Sequence, residues 1–502
     1  MNHFPKPHVK KVEHTMKNKS HATPAHLLGH GALALLLLSG CAIPPASPPP
    51  SSLPPPTAGL PQPLDAADTF TLEDTASWWD HFDDPVLTGL IHAALSSNRT
   101  LRAAQAAVAE SRARLDASRA PLLPSLNAGA SLTRFSNSEN GATGPGSGSI
   151  YRAGFDASWE LDLFGRNRHA SRAAAAALEA SDANLQNTWV TLAAETALTY
   201  VQLQTTRARL AVAQTNLLLQ TQTLDLIASR HASGIASGLA AEQARYVLEQ
   251  TRATLPGLLA TEEALLNALA VLTGTLPGEL RMTNYELRIK NDESNSQFSI
   301  PEIPPQHLAG IPAELLRRRP DIRRAERLLA AQASLLASAE AARYPSFTLA
   351  GSIGLESLSA GDLFNTSSKL WSLLPSIRLP IFNGGAIRAN IRVQTALQEQ
   401  ALALYEQTIL EAVAELRSTL AAYAREYARR EALLAARDAA REAHRLAQDQ
   451  YLNGLTDFNN VLDAQRALLS FGDALAAGDG QITQNLIRVY KALGGGWQPL
   501  ED

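Results

Sequence analysis

Hydrophobic and polar positions along this chain follow two different periods. Between residues 151 and 163, Tyr151, Ala153, Phe155, Ala157, Trp159, Leu161 and Leu163 alternate with Arg152, Gly154, Asp156, Ser158, Glu160 and Asp162. That is the two-residue period of a strand with one apolar and one polar face. Similar alternation marks 125–135, 346–356 and 371–382, less cleanly in the last because of Leu374. Elsewhere Ala, Leu, Gln, Arg and Glu dominate, and these are helix formers. Two helical runs are very long, roughly 166–231 and 385–452. At 1.5 Å per residue each reaches about 100 Å. In the second, Leu402, Ile409, Leu416 and Tyr423 form one seven-residue series and Val413, Leu420, Tyr427 and Leu434 another. Interleaved, they give the a/d spacing of a coiled coil. Gly234 and Gly454 suit the position just past a helix end. Ser237 and Asp457 suit caps for the returning helices, and Pro256 should bend or break the first of these.

The pattern is written twice. "LLPSLNAGASL" (122–132) aligns with "RYPSFTLAGSI" (343–353), "LDLFGRN" (161–167) with "LPIFNGG" (379–385), and "HASGIASGLAAEQARYVL" (231–248) with "YLNGLTDFNNVLDAQRAL" (451–468). Each copy orders a helix, a strand pair, a very long helix, a Gly turn and a returning helix. A repeat of this kind dictates the architecture. The first copy is expected over 68–300 and the second over 301–497, with 498–502 a short tail.

Each strand has about the length needed to cross a bilayer at a tilt. Gly-, Ser- and Asn-rich segments between the members of each pair, "NSENGATGPGSGS" and "LSAGDLFNTSSK", would be outer loops. A soluble sandwich edge is the alternative. In lipid, open sheet edges are not tolerated, so four strands require several chains to share one barrel. Two chains would give eight strands and a tube filled by side chains; three would give twelve and room for a channel. Phe155 and Trp159 would then meet lipid, with Asp156, Ser158 and Glu160 facing water. The expected fold is mainly α with a membrane β-barrel portion. Long coiled-coil hairpins would form an α-barrel, and four strands per chain would enter a barrel shared between chains.

The N-terminus sharpens the picture. Lys6, Lys10, Lys11, Lys17 and Lys19 precede the apolar run "GALALLLLSG" and Cys41. Basic, apolar and small segments in that order read as a secretory signal over 1–40, with Met16 an alternative start. Leu38-Ser39-Gly40-Cys41 resembles the bacterial lipobox, which implies that Cys41 is lipidated; a buried free cysteine is the other reading. Ala42 follows where an aspartate would favour inner-membrane retention, so outer-membrane sorting is expected. Residues 41–67 are proline-rich and favour an extended tether. Trp78, Trp79 and Phe82 look like apolar anchors at the start of the folded body.

Charge and composition mainly exclude. A formal net charge of −4 and the lack of basic clusters with interleaved aromatics give no case for nucleic acid. A single cysteine rules out an internal disulfide. Six of the twelve histidines precede Cys41 and the rest are scattered, so no metal site and no cofactor are expected. No Gly-rich phosphate loop, Gly-x-Ser-x-Gly elbow or His/carboxylate constellation suggests an enzyme.

Taken together, "WWDHFDDPVLTGLI" (78–91), "RRRPDIRRAE" (317–326), "LPIFNGG" (379–385), "LDAQRALL" (462–469) and "YKALGGGW" (490–497) resemble the TolC-like outer-membrane efflux family, in its lipoprotein branch of OprM/NodT type. The resemblance implies a homotrimer seated in the outer membrane of a Gram-negative bacterium, its helical barrel reaching through the periplasm. A periplasmic adaptor and an inner-membrane pump of the resistance–nodulation–division type would meet its tip. The chain would be the exit duct for small toxic compounds; an outer-membrane-anchored coiled-coil tether without a channel is the alternative. The family closes its periplasmic end just after the second Gly turn, here "GLTDFNNVLDAQ" (454–465). The TolC pattern of two aspartates falls on Asn460 and Asp463, and the OprM pattern of a leucine and an aspartate on Asn459 and Asp463. Only Asp463 fits both; a solvated helix-face acid is the other reading of it. The first repeat has Leu239, Ala240 and Gln243 at these places. Arg317–Arg319 before Pro320 read as structural. Drugs, solvents, aromatic acids and metal ions all stay open as cargo.

Overall fold

The computed structural model describes residues 76–138, 140, 146–279 and 318–497. Cys41, the 1–40 signal, the 41–67 tether, the 498–502 tail and Arg317 lie outside the described residues. A 3-10 turn, Trp78–Phe82, leads into α1 (Pro85–Ser97) and α2 (Arg99–Arg119). Strands β1 (Ser125–Asn137) and β2 (Gly146–Leu161) follow, then α3 (Arg166–Ala232) and α4 (Gly238–Leu272). The second half repeats the order as α5 (Pro320–Ala341), β3 (Ser346–Ser357), β4 (Lys369–Arg378), α6 (Ala386–Leu452) and α7 (Phe458–Ala492).

Helices α3 and α6 each contain 67 residues. Each ends as its sequence dictates. Gly234 and Gly454 take φ of +74° and +73°. Behind them Ile235 N–H donates to the Arg230 carbonyl and Leu455 N–H to the Gln450 carbonyl, both at 2.8 Å, closing the last turn. Ser237 Oγ then accepts from Ala240 N–H at 3.2 Å, and Asp457 Oδ1 from Asn459 N–H at 3.5 Å. In α6 the series Ile409, Leu416 and Tyr423 is buried, whereas Val413 and Leu420 are half-buried.

One sequence expectation is narrowed and two are corrected. Helix α4 runs through Pro256 without a break. That residue is exposed, so the missing hydrogen bond opens toward water rather than into a core. The first outer loop is shorter than expected, because the ladder extends to Asn137 opposite Gly146 and absorbs its Gly/Ser residues. Strand β4 stops at Arg378, opposite Ser346, where Pro345 ends its partner and Pro380 has no N–H to continue.

The four strands form one antiparallel sheet in the order β1-β2-β3-β4. The central pairing, β2 with β3, therefore joins the two repeats. The main core lies among the helices. Trp78 stacks on Tyr490 with ring centroids 5.4 Å apart, and Trp79 and Phe82 meet Trp78 edge-on. Leu87, Leu90, Ile91, Val201, Leu269 and Ile487 complete this knot. Arg319 fixes the start of α5: it reaches both oxygens of Asp321, Glu415 Oε2 at 2.8 Å and the Ala492 carbonyl at 2.8 Å. Burial of this guanidinium is met by two carboxylates, and its pKa stays above the ordinary value.

Candidate functional site

The sheet separates its chemistry by face. One register row reads Ala128, Phe155, Ile353 and Trp371; the adjacent row reads Asn127, Asp156, Ser352 and Ser372. On the polar side the Ser352 and Ser372 hydroxyls lie 2.7 Å apart, and Arg152 pairs with Glu356 across β2 and β3. On the apolar side Phe155, Ile353 and Trp371 are 52%, 65% and 78% exposed. No described residue covers that face. Trp159 shares it but sits at the inner end, where its indole N–H donates to the Leu122 carbonyl at 3.0 Å. One row on the polar face holds Gly129, Gly154 and Gly354. A Cβ at Gly154 would come within 2.7 Å of the Ile353 carbonyl, and one at Gly354 within 2.6 Å of that of Ala153. Glycine there lets the strands approach and bend together.

The joint between sheet and helix is built by Asp162. Its carboxylate accepts from Arg168 N–H at 2.8 Å and Asn167 N–H at 3.2 Å, which caps α3 after the left-handed Gly165. His169, one turn further, is buried.

At the far end the two hairpins pack on each other. Phe458, Val461 and Leu462 of α7 bury against Ile227 of α3 and Ala240, Ala244 and Val247 of α4. Gln465 Nε2 donates to Thr223 Oγ1 at 2.8 Å, and the Arg230 guanidinium lies over Tyr451 at 5.1 Å. With those residues turned inward, Asn459, Asn460 and Asp463 share the opposite, exposed face of α7. Asn460 Nδ2 donates to Thr456 Oγ1 at 2.5 Å, within its own turn. Asp463 pairs with Arg466 at 2.9 Å. Sequence reasoning missed Arg466, although the spacing Asp463-x-x-Arg466 is legible as a helical ion pair. It also missed Gln465 and Arg230, whose partners stand on other elements. Among the described residues no group of three or more His, Cys, Asp or Glu side chains could hold a metal ion.

The family model described as outer membrane efflux protein matches residues 90–275 and 311–495, most of the chain and both repeats. The chain belongs to that family. It is 34% identical over 433 residues to the toluene efflux pump outer membrane protein TtgF of Pseudomonas putida, covering 85% of this chain and 87% of the relative. To the cation efflux system protein CusC of Escherichia coli it is 31% identical over 468 residues, covering 92% and 97%. Its fold superposes on the outer-membrane channel OprN with a TM-score of 0.81 at 34% identity, over 90% of this chain and 98% of that one. As a member of this family the chain is an outer-membrane efflux protein.

Proposed function

We propose that three copies of this chain close one outer-membrane barrel and form the exit duct of a tripartite efflux pump, working with a periplasmic adaptor and an inner-membrane pump. The observation that carries this is a sheet, mounted on helices of 67 residues, whose edge strands β1 and β4 and apolar face are open among the described residues and whose other face is polar. Open edges are costly in hydrocarbon and vanish only on closure. Three four-stranded sheets supply enough strands for a water-filled bore. Helix α4 supports the same reading, since Leu259 and Val271 on its outer side are 51% and 62% exposed and suit burial by a neighbouring copy.

In this reading Phe155 and Trp159 meet lipid, Cys41 carries a lipid anchor, and the Gly234 and Gly454 turns mark the periplasmic tip. Asp463, with Asn459 and Asn460 beside it, rings the narrow end as the gate. The chain conducts and does not catalyse. Relatives are named for toluene, antibiotic and cation efflux, so the duct leaves the choice of cargo to its pump. Planar-bilayer recording of the purified trimer tests the proposal. Discrete channel currents are expected, low while the gate is closed; an intact trimer that passes no current at all would leave only the tether.

A further inference from the structure

Two cations stand at the outer ends of the open edge strands, and barrel closure brings them together. Arg134 lies near the end of β1 and Lys369 opens β4; both are exposed. Neither forms an ion pair among the described residues. Both belong to the apolar face, since Arg134 stands opposite Ser149 and Lys369 opposite Leu355, in register with the alternation that presents Phe155 and Ile353.

The strand lengths fix how they meet across a seam. Strand β4 has 10 residues, β1 has 13, and the order of the sheet makes them antiparallel neighbours on closure. If all of β4 pairs with β1 of the next copy, Lys369 falls opposite one of residues 134–137. Keeping both apolar faces on the lipid side leaves Arg134 or Ser136. In the first case Arg134 and Lys369 are directly opposed, with Cβ atoms about 5 Å apart; in the second they are diagonal neighbours at about 7 Å. Like charges this close are unfavourable unless an anion lies between them.

The surface beside Lys369 fits an amphiphilic anion. An apolar depression of about 890 Å³ includes Ala128, Phe155, Ile353, Leu355 and Trp371, with Lys369 on its rim. Gly129, Gly154, Gly354 and Leu370, which also line it, form the register row between those apolar positions. The cations stand at the end of the strands away from the helices, level with the outer leaflet.

Resting on the closed-barrel reading, we propose that each seam binds a phosphorylated lipid of the outer leaflet. Arg134 of one copy and Lys369 of the next hold its phosphate by charge-assisted hydrogen bonds, and an acyl chain lies in the depression. The bound lipid bridges two copies, so it also fastens the barrel.

Native mass spectrometry of the full-length protein, with diphosphoryl lipid A and its dephosphorylated form as probes, tests this. The wild-type trimer should retain the phosphorylated lipid. The double variant Arg134→Gln/Lys369→Gln should bind it roughly 30-fold more weakly, while Arg134→Lys/Lys369→Arg should bind like wild type. Equal retention by wild type and the Gln variant overturns the inference, as does equal binding of dephosphorylated lipid A. Competition by inorganic phosphate alone, at concentrations comparable to the lipid, would reduce the site to one for free phosphate and likewise overturn it. An intact trimer without lipid sinks this inference only; a wild-type protein found solely as monomer sinks the duct as well.

Discussion

Arg466 Nη1 donates to Asp463 Oδ1 at 2.9 Å, one turn along the exposed face of α7, while its guanidinium lies over Tyr246 of α4 at 5.2 Å. Asp463 is 71% exposed, so the pair adds little to stability. Its weight is electrostatic. In the proposed threefold ring each carboxylate would bring its own counter-charge, which would temper the repulsion between copies. Asp463→Ala should weaken block of the current by divalent cations added on the periplasmic side, and Arg466→Ala should strengthen it. Bilayer recordings in which neither substitution changes conductance or block would make Asp463 a plain solvated acid.

Helix α7 comes so close to α3 at Gly480 that an added Cβ would overlap the Thr205 side chain. Thr205 cannot swing away easily, because it is buried and its hydroxyl is bonded to the Val201 carbonyl at 2.7 Å. Gly480→Ala should therefore cost about 1–3 kcal/mol, read as a lower denaturation midpoint. Adding Thr205→Gly should recover most of that loss. A double variant no better than Gly480→Ala alone would show that the approach does not limit packing.

Phe155 and Trp159 share a face but not a depth. Phe155 sits mid-strand, whereas Trp159 is near the inner end of β2 and tied to Leu122. The cost of a lipid-facing arginine falls from about 2–4 kcal/mol at the midplane to about 0–1 near the interface. Phe155→Arg should thus destabilise the refolded barrel more than Trp159→Arg. Cysteine labelling should find position 155 shielded by lipid and 156 open to water; the reverse pattern would turn the sheet inside out.

Burial holds the His169 imidazole below its ordinary pKa, and the Arg172 charge adds to the effect. The unfolded chain therefore takes up this proton more readily than the folded one. The stabilising contribution is complete above the unfolded value, about 6.5, and is lost as pH falls below it through the folded pKa. His444, also lowered by burial, acts in the same direction. The thermal midpoint should drop between about pH 7 and pH 5, and His169→Gln should shrink that drop. An unchanged pH profile in this variant would remove His169 from the account.

Cys41→Ala should abolish acylation yet leave folding and trimer formation largely intact, because the strands themselves seat the protein in the membrane. Mass spectrometry finding Cys41 unmodified in the native protein would refute the anchor.

What the sequence determined by itself was local. The two-residue period at 151–161, the helical runs and the glycines at 234 and 454 act within a few residues, so each element and turn was legible. The repeat was legible too, because both copies obey the same local rules. Contacts between distant segments were not. Pairing of β2 with β3 joins the repeats through backbone groups that carry no sequence signature. Arg319 finds Glu415 across 96 positions, and Gly480 reads as a helix weakness until Thr205 stands against it. Pro256 reads as a bend or a break and does not break the helix; only the tertiary structure decides that it faces solvent. The tip shows the division within one helix: the Asp463–Arg466 pair is one turn long and readable. That these residues face away from Phe458 and Val461 follows from where the neighbouring hairpin packs.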